Sequence, residues 1–209
     1  MIILKNVCKK YNEHTVIDNL NLTINDGEFI ILTGESGCGK TTLLNMIGAV
    51  EPVTSGEILV DNVDILKKKN QLEYYKNKVG FLFQNFALVD NKTVEENLNL
   101  IKKDARSSIS IEDALKFVGL SGKSNQKIYK LSGGEQQRVA LARLLIKKCE
   151  IVLADEPTGS LDKKNAAVVM KLLNEINKNG KTVIMVTHDM EIASAYGKQI
   201  SLNANNSLA

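Results

Sequence analysis

Four apolar residues and a threonine, Phe29-Ile-Ile-Leu-Thr33, run directly into Gly34-Glu-Ser-Gly-Cys-Gly-Lys-Thr-Thr42 and then into Leu43-Leu-Asn-Met-Ile47. This order, a short buried strand, then G-x-x-x-x-G-K-T, then a helix, is the context that a phosphate-binding loop requires. Gly34, Gly37 and Gly39 allow the backbone to turn tightly and bring N–H groups to phosphate oxygens, with Ser36 and Cys38 between them. The helix that follows adds free N-terminal amides and the positive end of its dipole. Lys40 supplies a cation for the β- and γ-phosphates, Thr41 a hydroxyl for Mg²⁺, and Thr42 completes the turn into the helix. A glycine-rich turn with a chance lysine would not need these flanks. The chain is expected to bind a nucleoside triphosphate.

Such a loop also needs an acid on a neighbouring strand to hold the metal. Ile151-Val-Leu-Ala-Asp155-Glu156 has the form of a buried strand with two carboxylates at its C-terminal end, where ligands bind in open α/β sheets. Asp155 is placed on Mg²⁺, directly or through water, and Glu156 on the water that attacks the γ-phosphate. Two solvated acids at a strand end would be the plain alternative without the loop.

A second anion cradle lies at Leu131-Ser-Gly-Gly-Glu-Gln-Gln-Arg138. Val139, Leu141, Ala142, Leu144 and Leu145 continue from it with helical spacing, so Ser132, Gly133, Gly134 and Glu135 open a helix. Alone, the four residues could be a helix cap with Glu135 at its third position. One triphosphate site does not need two cradles. A second copy of the chain, arranged head to tail, would use the other.

The rest of the chain reads as α/β. Ile2 to Val7 and Leu20 to Ile24 carry strand patterns, Asn25-Asp-Gly27 a turn, and Glu57 to Val60 another strand. Val79 to Phe83 is a short strand ending at Gln84. Thr93-Val-Glu-Glu96 and Ser110-Ile-Glu-Asp113 have capping-box spacing and open periodic helices through Leu98 and Ile101, and through Ala114, Leu115 and Val118. The last third alternates again: a helix after Gly134, the strand to Ala154, a helix over about 164–178, and the strand Thr182 to Val186. The expected fold is α/β: a P-loop NTPase core with a parallel sheet, an N-terminal antiparallel β subdomain and an inserted α-helical subdomain. A single domain spans 1–209, with its core at about 1–84 and 135–209 and its helical lobe at about 85–134. Asn203 to Ala209 is polar and reads as a frayed tail.

A length of 209 residues fits one such domain, and a formal charge of +3 gives no reason to expect nucleic acid. Lys67-Lys-Lys69 reads as a solvated helix end or turn. Cys8, Cys38 and Cys149 are isolated, which suits a reduced compartment. No apolar run approaches the roughly 18 residues of a membrane span.

The motifs, taken in order, resemble the ATP-binding-cassette ATPase subunit of ABC transporters over nearly the whole chain, and Leu131 to Arg138 resembles that family's signature motif. The resemblance implies ATP and Mg²⁺ as ligands. It implies that Tyr11 stacks on adenine, and that Gln84 senses the γ-phosphate and Mg²⁺ and joins the lobe to the core. Ser160-Leu-Asp162 resembles the loop that communicates between the two sites of a dimer, and His188 the switch histidine on the γ-phosphate. His14 is read as a surface or core residue. Catalysis would then rest on Glu156, His188, Lys40 and Gln84, with metal ligands Thr41, Gln84 and Asp155. Partners would be a second copy and a polytopic membrane permease, with the chain peripheral on the cytoplasmic face of the membrane. Gly80 to Phe86, Thr93 to Asn97 and Leu153 to Asp162 look like the branch of macrolide, lipoprotein-release, cell-division and bacteriocin-export ATPases, which points to export of a peptide, antimicrobial or lipophilic substrate. Signalling or mechanical coupling without transport is an alternative, as is a soluble non-transport role. Two features depart from the pattern: Cys38 replaces a small residue, and the chain ends soon after the strand at Val186, without the turn and helix that many relatives carry.

Overall fold

The strand that feeds the phosphate loop, β3 (Phe29–Thr33), is buried along its whole length. The computed structural model describes residues 1–202; the tail from Asn203 lies outside the described residues. β3 sits between β8 (Thr182–Val186) and β9 (Lys198–Ser201) in a five-stranded parallel sheet, with β7 (Ile151–Asp155) and β6 (Val79–Leu82) beyond β8, in the order β6-β7-β8-β3-β9. Continuous apolar runs such as Ile184-Met-Val186 suit strands covered on both faces. β3, β6, β7 and β8 divide their side chains between two cores, as the two-residue period requires. Ile31, Val152, Ala154, Val183 and Met185 face α5 (Gly133–Ile146) and α6 (Lys163–Lys178). Ile30, Leu32, Leu153, Ile184 and Val186 face α1 (Lys40–Ile47) and a second sheet. Full burial of a side chain such as Leu43 or Ile47 contributes about 1.5–3 kcal/mol, so this layer holds the loop before α1 firmly.

The second sheet is antiparallel, with the order β2-β1-β4-β5: β1 (Ile2–Tyr11), β2 (His14–Ile24), β4 (Ser55–Val60) and β5 (Val63–Asp64). Its first two strands are longer than the sequence pattern predicts. Positive φ at Asn6 (49°) and Asn19 (46°) goes with shifts of register that break the alternation, which hides the extra length. The three lysines 67–69 do open a helix, α2 (Lys68–Glu73), which continues as a turn of π-helix over Tyr74–Lys78. Tyr74, buried there, donates its hydroxyl to Ile47 O at 2.7 Å and so ties this segment to the end of α1.

Between β6 and α5 the helices are shorter than the periodicity predicts: α3 (Val94–Leu98) and α4 (Ile111–Phe117), with one single-turn 3₁₀ segment between them and a second after α4. Thr93 forms both hydrogen bonds of its capping box. Arg106 binds the chain just beyond the end of α3. Its guanidinium donates to Asn99 O at 3.2 Å and Ile101 O at 2.9 Å, fixing the turn that follows the helix. Leu98, Ala114, Leu115, Val118 and Ile128 pack in the same cluster as the apolar face of α5, so the lobe rests on the helix that begins with the second cradle.

Val186 ends β8, but β8 is not the last strand. α7 (Met190–Ala195) and the fifth strand β9 follow it. The expectation of a chain ending soon after Val186 with no further helix is corrected on this point. Of the four residues of β9, Lys198 and Gln199 are exposed and only Ile200 is buried, the pattern of an edge strand with no apolar run to reveal it.

Candidate functional site

The loop from Gly34 to Gly39 takes three positive φ angles, 135° at Gly34, 82° at Gly37 and 95° at Gly39. At Gly39 a Cβ would come within 2.9 Å of Val16 Cγ1, so glycine is needed for space as well as for conformation. Gly39 caps α1 without a side chain, which leaves the first N–H groups of the helix directed into the loop. Lys40 is buried, and its ammonium donates to Gly34 O at 2.9 Å and Glu35 O at 2.6 Å, while Cys38 Sγ lies at 3.7 Å. Loop and lysine therefore form one preorganised unit.

Thr41 Oγ1 donates to Asp155 Oδ1 at 3.1 Å. Residue 41 opens α1 and residue 155 ends β7, so the contact exists only because β3, β8 and β7 are aligned side by side. Two oxygen donors at this spacing, one hydroxyl and one carboxylate, match a Mg²⁺ ion that takes few protein ligands and completes its shell with phosphate and water. Among the described residues there is no cluster of three or more His, Cys, Asp or Glu that would suit a softer or more enclosed ion.

Glu156 follows at once, with φ +45°. Its Oε1 is buried and lies 3.2 Å from Nε2 of the exposed His188. Burial pushes the carboxyl above its usual range, against the pull of His188, and neighbouring Asp155 adds to the rise. A carboxylate held in this way is a proton acceptor of raised strength beside the phosphate loop.

A cleft of about 380 Å³ is lined by Ser36, Gly37, Gly39, Lys40, Thr41, Thr42 and His188 from the expected set, together with His14 and Val16. His14 and Val16 are additions to the site. They reach it because the hairpin of β1 and β2 folds over the loop, a long-range contact without a local signal. Tyr11 is not on this wall; it stands 45% exposed with Lys9 Nζ 4.6 Å from its ring centroid. A neighbouring cleft brings together Gln84, Asp155, Ser160 and Gly133 with Phe83, Asn85 and Phe86. Gln84 is therefore at the metal-side acid.

Ser132, Gly134 and Glu135 line neither cleft. Ser132 Oγ accepts from Glu135 N at 3.3 Å, and Glu135 Oε2 accepts from Ser132 N at 2.9 Å, a reciprocal cap. The other carboxylate oxygen of Glu135 pairs with Lys123, which holds the carboxyl below its usual range, with help from the Ser132 N–H. Both oxygens of Glu135 are thus engaged within the chain. They shape the cradle made by Ser132 and the two glycines, of which Ser132 and Gly133 are exposed and none lines the phosphate-loop cleft.

Comparison with known proteins agrees with this geometry. Residues 17–159 match the family model for the ABC transporter. The macrolide export ATP-binding/permease protein MacB of Campylobacter jejuni is 38% identical over 97% of this chain, which spans only 33% of MacB. The ABC transporter ATP-binding protein MJ0796 of Methanocaldococcus jannaschii is 41% identical, with 96% of this chain and 92% of that protein covered. The cell division ATP-binding protein FtsE of Mycobacterium tuberculosis is 39% identical, with 96% and 90% covered. Among solved structures, the dimeric MJ0796 cassette superposes with a TM-score of 0.86 at 39% identity, covering 100% of this chain and 96% of that one. A post-hydrolysis dimer of MJ0796 bound to ADP and Pi gives 0.83 at 37%, again with 100% and 96% covered. The chain belongs to the ABC transporter family and is an ATP-binding cassette ATPase.

Proposed function

We propose that two copies of this chain close head to tail around two ATP molecules, and that their closing and opening drive a separate polytopic membrane subunit from the cytoplasmic face. The observation that carries this reading is the split of the site. Lys40, Thr41, Asp155, Glu156 and His188 converge on the phosphate loop, whereas Ser132 and Gly134 of the cradle line neither cleft and only Gly133 shares one with Asp155 and Gln84. MJ0796, at 39% identity, is dimeric in the solved structure.

In each composite site the loop amides and Lys40 would bind the β- and γ-phosphates of one ATP, with Tyr11 on adenine. Mg²⁺, held by Thr41 and Asp155 with Gln84 nearby, would offset charge on the phosphates. Glu156 would orient the attacking water and take its proton, while His188 would sit over the γ-phosphate. Ser132, Gly133 and Gly134 of the other copy would close the site, with Glu135 fixing their turn. Catalysis then consists mainly of positioning and charge stabilisation.

The relatives named for macrolide export and cell division point in two directions. Export of a peptide, antimicrobial or lipophilic substrate is the leading reading; mechanical coupling across the membrane without transport is the second. The test is recovery of tagged Glu156→Gln protein from membranes in Mg-ATP and identification of what comes with it. A polytopic permease supports the proposal. Recovery free in the soluble fraction, with no membrane protein attached, would overturn it.

A further inference from the structure

Gln137 lies on α5 just beyond the Ser132–Gly134 cradle and is completely buried. Its Nε2 donates to Pro157 O at 2.6 Å, a contact between residues 20 apart in the chain. Its Oε1 is buried with no hydrogen-bond partner among the described residues. One bond made and one acceptor stranded leave little net stability, so packing energy does not account for an amide at this point. A fixed distance does. Pro157 follows Glu156, whose φ of +45° is rare for a residue with a side chain and persists only where several contacts enforce it. Glu156 N donates to Val186 O at 3.1 Å and Gly159 N to Glu156 O at 3.1 Å. Proline has no N–H, so its carbonyl is the one backbone group through which residue 157 can be held.

Arg138 reinforces the link. Its guanidinium reaches Asn165 Oδ1 at 3.4 Å, and Asn165 Nδ2 donates to Asp162 Oδ2 at 2.8 Å. A Cβ on Gly134 would come within 2.4 Å of Asn165 Oδ1, so the first turn of α5 lies directly against the start of α6.

We propose that Gln137 is a positioning residue for ATP hydrolysis: it holds the Glu156–Pro157 turn in its catalytic geometry and ties that turn to the cradle on the same helix. This rests on the composite-site reading above. Because the cradle serves the partner's nucleotide and Glu156 serves its own, the strut joins the two sites of the dimer through one short, buried path.

The test uses Gln137→Met, which keeps volume without the donor, and Gln137→Glu, which keeps shape and can donate only when protonated. Turnover, KM for Mg-ATP, binding of a fluorescent ATP analogue and thermal midpoint are measured on the full chain and on wild type. The expected result is a kcat lower by about 10- to 100-fold in the methionine variant, the scale of a misplaced catalytic group, with KM and analogue binding near wild type. Relative to wild type, Gln137→Glu should recover activity as pH falls from 8 to 6, while Gln137→Met should not. Wild-type kcat in both variants overturns the proposal, as does loss of analogue binding and folding in step with kcat. Should the methionine variant fail to fold, the pH dependence of Gln137→Glu alone decides, a constant ratio to wild type counting against the proposal. Failure of the composite-site reading shows separately, as no recovery of turnover when Ser132→Arg and Glu156→Gln proteins are mixed, so the two failures are distinguishable.

Discussion

Thr41 Oγ1 and Asp155 Oδ1 lie 3.1 Å apart although 114 residues separate them in the chain. One stands at the start of the helix after β3 and the other at the end of β7, with β8 between those strands. The sheet therefore delivers a hydroxyl and a carboxylate to one point at the mouth of the phosphate loop. Asp155→Asn keeps the shape and the hydrogen-bond capacity but removes the charge that attracts a divalent ion. Fluorescent ATP-analogue titrations with and without Mg²⁺ should show a large metal dependence in wild type and at least about tenfold less in the variant, given that one removed charge contact of 1.4 kcal/mol is tenfold in affinity. Equal metal dependence in the two proteins would place the ion elsewhere.

Glu156 is the group best placed to take a proton, because burial raises its basicity and His188 lies 3.2 Å away. Glu156→Gln removes the base while preserving the buried volume and the turn. Hydrolysis should fall about 10²- to 10⁴-fold, the usual contribution of a general base, with nucleotide binding retained. In saturating Mg-ATP the variant should elute as a dimer. Elution as a monomer, with the membrane partner present, would contradict closure around ATP.

How much of this site can be read from the residues depends on how local its signals are. Lys40, Thr41, Asp155 and Glu156 are legible because each belongs to a short pattern whose chemistry requires it, and because a strand end fixes where such residues point. His14 and Val16 are not, since they reach the cleft only when the β1–β2 hairpin folds over the loop. Gln137 lies within the Leu131–Arg138 motif, but the motif does not say what its side chain holds; only its burial and its bond to Pro157 reveal that. The fold shows the same division. The apolar strands β3, β7 and β8 are plain in the sequence, whereas β9 is hidden because an edge strand buries only Ile200 of its four residues. The early end of α3 is equally hidden, because Ile101 continues the apolar spacing although the helix ends at Leu98.

Glu96 offers a check on the lobe through pH. The Thr93 N–H, and then Lys127, hold its carboxyl at about 2, against an ordinary value of 4.5. A depressed acid stabilises the folded state above the unfolded value, and that contribution disappears as pH falls from 4.5 through about 2. Glu96→Gln keeps an acceptor for the cap but not the charge. Its urea midpoint should lie below wild type at pH 7, and the gap should narrow below pH 4.5. A gap of the same size at pH 7 and pH 3 would mean that the charge plays no part.

The assignment of the Ser132–Gly134 cradle to a second copy has a sharper test than loss of activity. Ser132→Arg should leave ATP binding to a single chain intact, because Ser132 lies outside the phosphate-loop cleft, and should abolish turnover. Glu156→Gln is inactive for a different reason. In a head-to-tail dimer of the two variants, one site combines the intact Glu156 of the first with the intact cradle of the second. The other site carries both defects. If the variants are mixed in equal amounts before ATP is added, half the dimers are mixed and each has one working site of two, so about a quarter of wild-type turnover should return. A cradle acting on its own chain's nucleotide predicts no recovery at any mixing ratio, since every phosphate loop would then sit beside one lesion or the other. Turnover plotted against mixing ratio, with a maximum at equal amounts, is therefore the signature of a site shared between two chains.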